Sequence, residues 1–499
     1  MNCSGFFYGY NMTFKEFEKL AKSYSAIPVS RRMMADVLTP VSLFLSIREG
    51  AEYPFLFESV EGGEHLARYS FLGKNPYQTL RFDGEHVTLT STDEEPILLN
   101  ESYFEALERL TTQHSEPTIP GLPRLTGGAV GFSSYDTVRQ VEHLPNVPKN
   151  DLDVPEAIWS FYDEVYAFDH VKQQIVLMKT VFVDENTDLE KAYEDAQSAL
   201  DGMEKSAKQT VYSDAGFSLD TNNLRSNLRE EQFSKMVEKA KEYIYEGDIF
   251  QVVLSQRFEL PFEGDRFTLY RALRMVNPSP YLFFLEFGEF SLVGSSPEVL
   301  VRVTEREARL LPIAGTRPRG KTHEEDLALE KDLKNDPKEI AEHVMLVDLG
   351  RNDLSRVCES GTVQLERNQA IERFSHVMHI VSDVVGTMQE GKTSVNALQQ
   401  CFPAGTVSGA PKIRAMEIID ELEPNKRGPY AGAVGYFDFS GNMDTCIAIR
   451  TMLVTEDSVY IQAGAGIVAD SNATKEFEET KSKAGALVEA LSVALEIRN

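Results

Sequence analysis

Short runs in which apolar and polar positions alternate dominate the first part of the chain. Residues 53–60 (YPFLFESV), 67–72 (ARYSFL), 77–82 (YQTLRF) and 86–91 (HVTLTS) are β-rich and separated by Gly, Asn and Asp, which predicts an antiparallel meander. A helical period follows at 102–113, then the glycine-rich stretch Gly127-Gly128-Ala129-Val130-Gly131-Phe132, more strand-like sequence, and a helix ending near Lys205. From 206 to 228 the chain is polar and unpatterned, the mark of a linker between a first region, 1–205, and a second, 229–499.

The second region opens on a helix at 230–246 and the strand-like 250–260 (FQVVLSQRFEL). Residues 281–287 and 289–295 predict a hairpin turning at Gly288. Further strands are expected at 434–439, 446–454 and 458–464, and amphipathic helices at 337–349, 411–422 and 474–497. Strand pairs with helices between them point to an α+β class with large antiparallel β-sheets. The first region's GGAVGF is echoed in Gly432-Ala433-Val434-Gly435-Tyr436, a short hint of duplication.

A chain of 499 residues with 42% hydrophobic content buries a large core, in two domains or one composite one. Its formal charge of −28 argues against nucleic acid as a partner and means that an anionic substrate needs local arginines, backbone N–H groups or a bound cation. No apolar signal segment opens the chain and no stretch is apolar for long enough to span a bilayer, so a cytoplasmic location without membrane contact is expected. Cys3, Cys358, Cys401 and Cys446 are scattered, with neither metal-site nor disulfide spacing.

Two acidic stretches carry candidate chemistry. Glu339 and Glu342 follow Asp336-Pro337, and Glu476 and Glu479 lie in KEFEETKSK; each pair is spaced to share one helix face. Four carboxylates converging from two helices make a hard-cation site, because Mg2+ takes oxygen ligands. Asp336, Pro337 and Glu339 also satisfy a plain helix start, with an Asp cap and Pro at the first position. Lys483 follows two turns after Glu476 as an anion partner.

Four glycine- or turn-rich blocks expose backbone N–H groups in the manner of anion-binding loops: Gly294–Glu298, Pro312–Gly320, Phe402–Lys412 and Gln462–Ile467. None is a nucleotide signature, since GxxxxGK[ST] is missing and Gly464-Ala465-Gly466 lacks a third glycine; no G-x-S-x-G elbow supports acyl chemistry.

In order and spacing, GDIFQVVLSQRF, NPSPYLFF, GSSPE, PIAGTRPRG, DPKEIAEHVMLVDLGRNDLSRV, FSHVMHIVSDVVG, FPAGTVSGAPKIRAMEII, GPYAGAVGY, CIAIRT, QAGAGIV and EFEETKSKAGAL resemble the chorismate-utilising enzyme family, specifically its anthranilate synthase component I branch. FESVEGGEHLARYSFLG and GGAVGFSSYD resemble that branch's N-terminal domain. The resemblance implies a sandwich of antiparallel sheets with helices outside, a catalytic domain at 229–499, and an N-terminal domain at 1–205 contributing a tryptophan regulatory site. It implies Mg2+ held by Glu342 and Glu479 with Glu339 and Glu476 in support, and chorismate bound by Gly315, Thr316, Tyr430, Arg450, Gly464, Ala465, Gly466 and Lys483. It implies Glu298 as general acid, with His379 and Thr406 beside the departing groups. On its own, a histidine among apolar residues is ordinarily a hydrogen-bonded structural group.

Relatives that add water to the ring carry Lys where this chain has Gln251. A neutral amide takes no proton from water, which suits ammonia as the nucleophile. Ala314 stands where aminodeoxychorismate-forming relatives carry Lys, and that activity is the nearest alternative. The resemblance further implies ammonia supplied from glutamine by a separate glutamine amidotransferase subunit. Feedback by tryptophan is implied at Glu58, Ser59, Pro280, Tyr281, Leu282, Phe283, Asp444 and Cys446. If 444–454 is a single strand, its period of two puts Asp444, Cys446, Ala448 and Arg450 on one face, with Cys446 and Arg450 about 13 Å apart. One element would then join the two sites.

Overall fold

A computed structural model describes residues 12–59, 68–209, 211, 216–373 and 377–498. Cys3, the first eleven residues and the parts of the expected first two strands that fall within 60–67 lie outside these. Among the described residues, two antiparallel sheets of 13 and 12 strands form the molecule. The first runs in the order 26–34, 174–182, 164–169, 69–73, 55–58, 281–286, 291–296, 451–454, 458–467, 251–264, 217–219; the second runs 313–318, 377–387, 307–310, 299–304, 443–447, 433–438, 128–133, 157–162, 78–82, 87–91, 97–99. Strands from both sequence regions interleave in each sheet. Phe55–Glu58 pairs with Tyr281–Glu286, and Gly128–Ser133 pairs with Ala433–Asp438. The echoed glycine-rich stretches are thus neighbours, with Gly131 opposite Gly435.

Strand alternation builds the layers. In the strand Tyr281–Glu286, Phe283 and Leu285 enter the core between the sheets with Phe132 and Val434, whereas Leu282 and Phe284 face the outer helices. The large antiparallel sheets are therefore what the sequence pattern implied, and the sandwich with helices outside is what the resemblance implied. The hairpin at 281–296 turns where expected, with Gly288 at φ +75°, a left-handed conformation that glycine adopts without strain.

Four expectations are corrected. The meander is split, because 55–58 and 69–73 join the first sheet while 78–82 and 87–91 join the second. The polar segment 206–228 is not a bare tether: Phe217–Leu219 and Arg225–Ser226 pair with the long strand Gln251–Gly264. Three of the four glycine-rich blocks are strand rather than loop, since Gly294–Ser296, Ile313–Pro318 and Gln462–Ile467 are all in ladders. The expected strand at 446–454 is broken. Met443–Ile447 belongs to the second sheet and Thr451–Val454 to the first, and the chain crosses between them at Ala448–Arg450 with Arg450 at φ +50°. Cys446 and Arg450 consequently share no strand face.

A second crossing runs beside this one. The chain leaves the first sheet at Ser296, passes Glu298 and enters the second at Val299. Ile447 N–H donates to the Glu298 carbonyl (3.0 Å), the Ser296 hydroxyl to the Ile447 carbonyl (2.7 Å) and Ser295 N–H to the Arg450 carbonyl (3.1 Å). Paired with each other, the two crossings satisfy backbone groups that neither sheet can reach.

Candidate active site

Glu298 and Arg450 are each on a crossing, near enough for their charges to act on each other. Burial pushes the Glu298 carboxyl up to about 7, against the opposing pull of Thr406 and of the Arg450 charge. Thr406 lies close enough to act on that carboxyl, although its hydroxyl closes no well-aligned hydrogen bond. Desolvation pulls the Arg450 guanidinium down and the Glu298 charge pulls it up, although the residue as a whole is exposed. A buried carboxyl at this value is protonated about half the time at neutral pH, the condition for a general acid.

His379 is on the strand Val377–Thr387 opposite Thr316. Its Nδ1 lies 3.0 Å from the Gly315 carbonyl and 3.1 Å from the Thr316 hydroxyl. A carbonyl only accepts, so Nδ1 carries the hydrogen and Nε2 is the acceptor nitrogen. Burial lowers the imidazole, and the Arg450 charge lowers it further, so His379 is neutral at pH 7. Gly315 stands in a bulge at φ +68°, and a Cβ there would meet Leu333 at 3.0 Å and the Glu339 carboxylate at 3.2 Å.

The acidic helices arrive from one side. Asp336 caps Pro337–Ser355 by accepting from Lys338 and Glu339 N–H, which places Glu339 and Glu342 in the first turns. Burial raises Glu342, and the Glu339 and Glu479 charges raise it further; burial followed by a partly opposing Ser471 bond and the Glu479 charge leaves Glu476 raised. Glu342 and Glu476, one from each helix, therefore both feel the Glu479 charge. Arg317 donates to Glu339 (3.2 Å) and Lys483 pairs with Glu479 (2.8 Å). Among the described residues, no three carboxylate or imidazole groups are closed into a ready-made metal clamp. An all-oxygen set with mutual repulsion fits Mg2+, which binds through one or two protein carboxylates and completes its shell with water and substrate oxygens.

The floor is the ladder between Gln251–Gly264 and Ser458–Ile467. Period two puts Gly464 and Gly466 on the cleft face with Gln251, while the Ala465 methyl is buried in the core, so Ala465 presents only backbone. A Cβ on Gly464 would meet the Tyr430 hydroxyl at 2.8 Å, Val253 at 2.9 Å and the Leu254 carbonyl at 3.1 Å, so the site is closed to a side chain; one on Gly466 would meet only the movable end of Gln251, at 2.5 Å. Gln251 bonds the Glu342 carboxylate, Lys483 donates to the Gly464 carbonyl (2.9 Å), and burial pushes the Tyr430 phenol up to about 12.

A separate pocket between the sheets encloses about 560 Å3 of non-atom space including its mouth. All eight residues assigned to regulation line it: Glu58, Ser59, Pro280, Tyr281, Leu282, Phe283, Asp444 and Cys446. The Tyr281 hydroxyl donates to Asp444 (2.7 Å), and Arg302 donates to both Asp444 (2.9 Å) and the Tyr281 oxygen (2.7 Å). Glu58 only borders the space, because its carboxylate accepts from Tyr270 (2.5 Å) and from Arg274 (2.7 and 3.1 Å). Burial holds the Cys446 thiol far above its ordinary range. Arg302, Tyr436, Tyr69 and Phe71 were missed by the sequence reading. The available signal for Arg302 was a charge inside the apolar run VLVRVT.

Residues 54–489 match the family described as chorismate binding enzyme. The chain is 47% identical over 493 residues to the anthranilate synthase component 1 of Acetivibrio thermocellus, spanning 97% of this chain and 99% of that one. The crystal structure of anthranilate synthase component I from Streptococcus pneumoniae TIGR4 shares 36% identity and a TM-score of 0.77, over 92% of this chain and 99% of that chain. The menaquinone-specific isochorismate synthase of Escherichia coli shares the fold, with a TM-score of 0.69 at 20% identity over 96% of this chain and 98% of that one.

Proposed function

We propose that this chain, which belongs to the chorismate binding enzyme family, acts as the large subunit of an anthranilate synthase, converting chorismate and ammonia to anthranilate, pyruvate and water. The observation that carries the reading is Glu298: a half-buried carboxyl raised to about 7 by desolvation, within reach of Thr406 and of the Arg450 charge. Similarity over nearly the full length to relatives named anthranilate synthase component 1 supports the choice of product.

Arg450, Tyr430, Thr316 and the Gly464–Gly466 backbone orient the dicarboxylate substrate. Glu342 and Glu479, with Glu339 and Glu476 behind them, would hold Mg2+, which when bound neutralises the ring carboxylate. Ammonia forms a bond to ring carbon 2, both conjugated ring double bonds shift by one position, the carbon 4 hydroxyl leaves as water with the Glu298 proton, and the new ammonium group gives up a proton that restores the Glu298 acid. Loss of the carbon 2 proton and cleavage of the bond to the enolpyruvyl oxygen then release pyruvate and aromatise the ring. Gln251, held by Glu342, lacks a lone pair basic enough to activate water, so hydration does not compete. Ammonia comes free from solution or from glutamine through a separate glutamine amidotransferase subunit.

The expected result with the isolated chain, chorismate, Mg2+ and ammonium at alkaline pH is fluorescent anthranilate. A nonaromatic aminated product would instead identify an aminodeoxychorismate synthase. Glutamine should replace ammonium only when the partner subunit is added.

The inter-sheet pocket is read as the tryptophan site, with Phe71, Tyr281, Phe283 and Tyr436 around an indole and the Asp444–Arg302 pair for the amino acid's charged groups. Its strand Tyr281–Glu286 pairs with the strand leading into Glu298, so occupancy would act on the crossings rather than inside the cleft. Replacing Ser59 by Phe is expected to overpack the pocket by about 1–3 kcal/mol, raising the inhibitory tryptophan concentration roughly 10- to 100-fold. Turnover without tryptophan should stay near wild type, and a variant still inhibited at the original concentration would remove Ser59 from the site.

A further inference from the structure

Arg427 is 2% exposed, and the ion pair it forms with Glu423 is buried on both sides. Its Nε and one terminal nitrogen donate to the Glu423 carboxylate (2.9 and 2.6 Å); that same nitrogen donates to the Val253 carbonyl (2.7 Å) and the other to the Val407 carbonyl (2.7 Å). Glu423 in turn accepts from the Ser255 N–H (2.8 Å) and hydroxyl (2.9 Å). The guanidinium carbon lies 5.6 Å from the centre of the Tyr430 ring and 4.7 Å from that of Tyr135.

Every anchor is next to a cleft residue. Val407 follows Thr406, Val253 is on the Gln251 strand, Ser255 is registered opposite Gly464, and Tyr430 follows Arg427 after Gly428 and Pro429. A buried charge pair is a poor source of stability, because desolvation offsets most of the attraction, and apolar residues would fill the space as well. What a forked, planar group does better is hold three backbone segments at fixed mutual distances. We propose that the Arg427–Glu423 pair is the positioning device of the cleft, holding the Thr406 turn, Tyr430 and the Gly464 strand in their binding arrangement before substrate arrives. This rests on the reading of the cleft as the chorismate site.

The test uses the whole chain with chorismate, Mg2+ and ammonium. Arg427→Lys keeps the charge beside Glu423 but cannot reproduce the fork. It is expected to lower kcat/KM for chorismate about 100-fold, chiefly through KM, as misplacement by about 1 Å does. Combined with Tyr430→Phe, the loss should fall well short of the product of the two single losses, because both changes disturb one arrangement. A Lys variant with a lower melting temperature but unchanged KM, or single losses that simply multiply, overturns the proposal in favour of a structural pair. Should the Lys variant fail to fold, Arg427→Gln with Glu423→Gln removes both charges and carries the same comparison. Arg450→Ala separates the two readings: if it leaves KM for chorismate unchanged, the cleft assignment falls and this inference falls with it.

Discussion

Glu298→Gln is expected to lower kcat by about 10³-fold while KM for chorismate changes little, because the amide keeps the shape and loses only the proton. The environment of Glu298 makes the expectation specific. Burial lifts its carboxyl to about 7, so near neutrality a large fraction is protonated and able to give the hydroxyl leaving group its proton. With the concentration of neutral ammonia held constant, kcat/KM for chorismate should fall as pH rises through about 7, and the Gln variant should lose that limb. Stability follows the same titration. The folded state holds this proton more tightly than the unfolded chain, so the contribution is intact below the ordinary value of 4.5 and is lost as pH rises through about 7. Retention of turnover in the Gln variant would move the acid to another residue.

Chelation of divalent cations is expected to abolish turnover, with restoration by Mg2+, and Glu342→Gln should lower activity about 10²- to 10³-fold at Mg2+ levels that saturate the parent. A second readout needs no turnover. In the metal-free chain Glu342 is partly buried and faces like charges at Glu339 and Glu479, which is why its carboxyl is raised. Neutralising it relieves that repulsion, so the metal-free variant should melt slightly higher than the parent and gain less on adding Mg2+. Unchanged Mg2+ dependence together with an unchanged melting temperature would take Glu342 out of the cation site.

What could be read locally was read correctly. The Asp336-Pro337 start, the three-residue spacing that puts Glu339 and Glu342 together, the hairpin at Gly288 and the helix at 230–246 all depend on contacts within a few residues, which sequence encodes directly. The candidate site residues were named by the ordered blocks, and the fold sets Glu298 within range of the Arg450 charge, Thr316 against His379, and Tyr430 against the Gly464 backbone.

Sheet membership could not be read in this way. Alternation says which side chains share a face, but it is the same in either sheet, so 446–454 scanned as one strand although Ala448–Arg450 carries the chain from one sheet to the other. The same limit split the expected meander. Glycines at 294 and 464 read as turns because their cause is nonlocal: Phe283 and Tyr430 leave no space for a Cβ. Arg427 in NKRGPY looks like a solvated loop cation until the fold encloses it. Composition, local spacing and the resemblance carried by the blocks thus determined the class and the helices and named the candidate site residues. Only the tertiary structure decided that two paired crossings between sheets bring Glu298 and Arg450 within range of each other's charge, because that depends on pairings between residues roughly 150 apart in sequence, which no local period records.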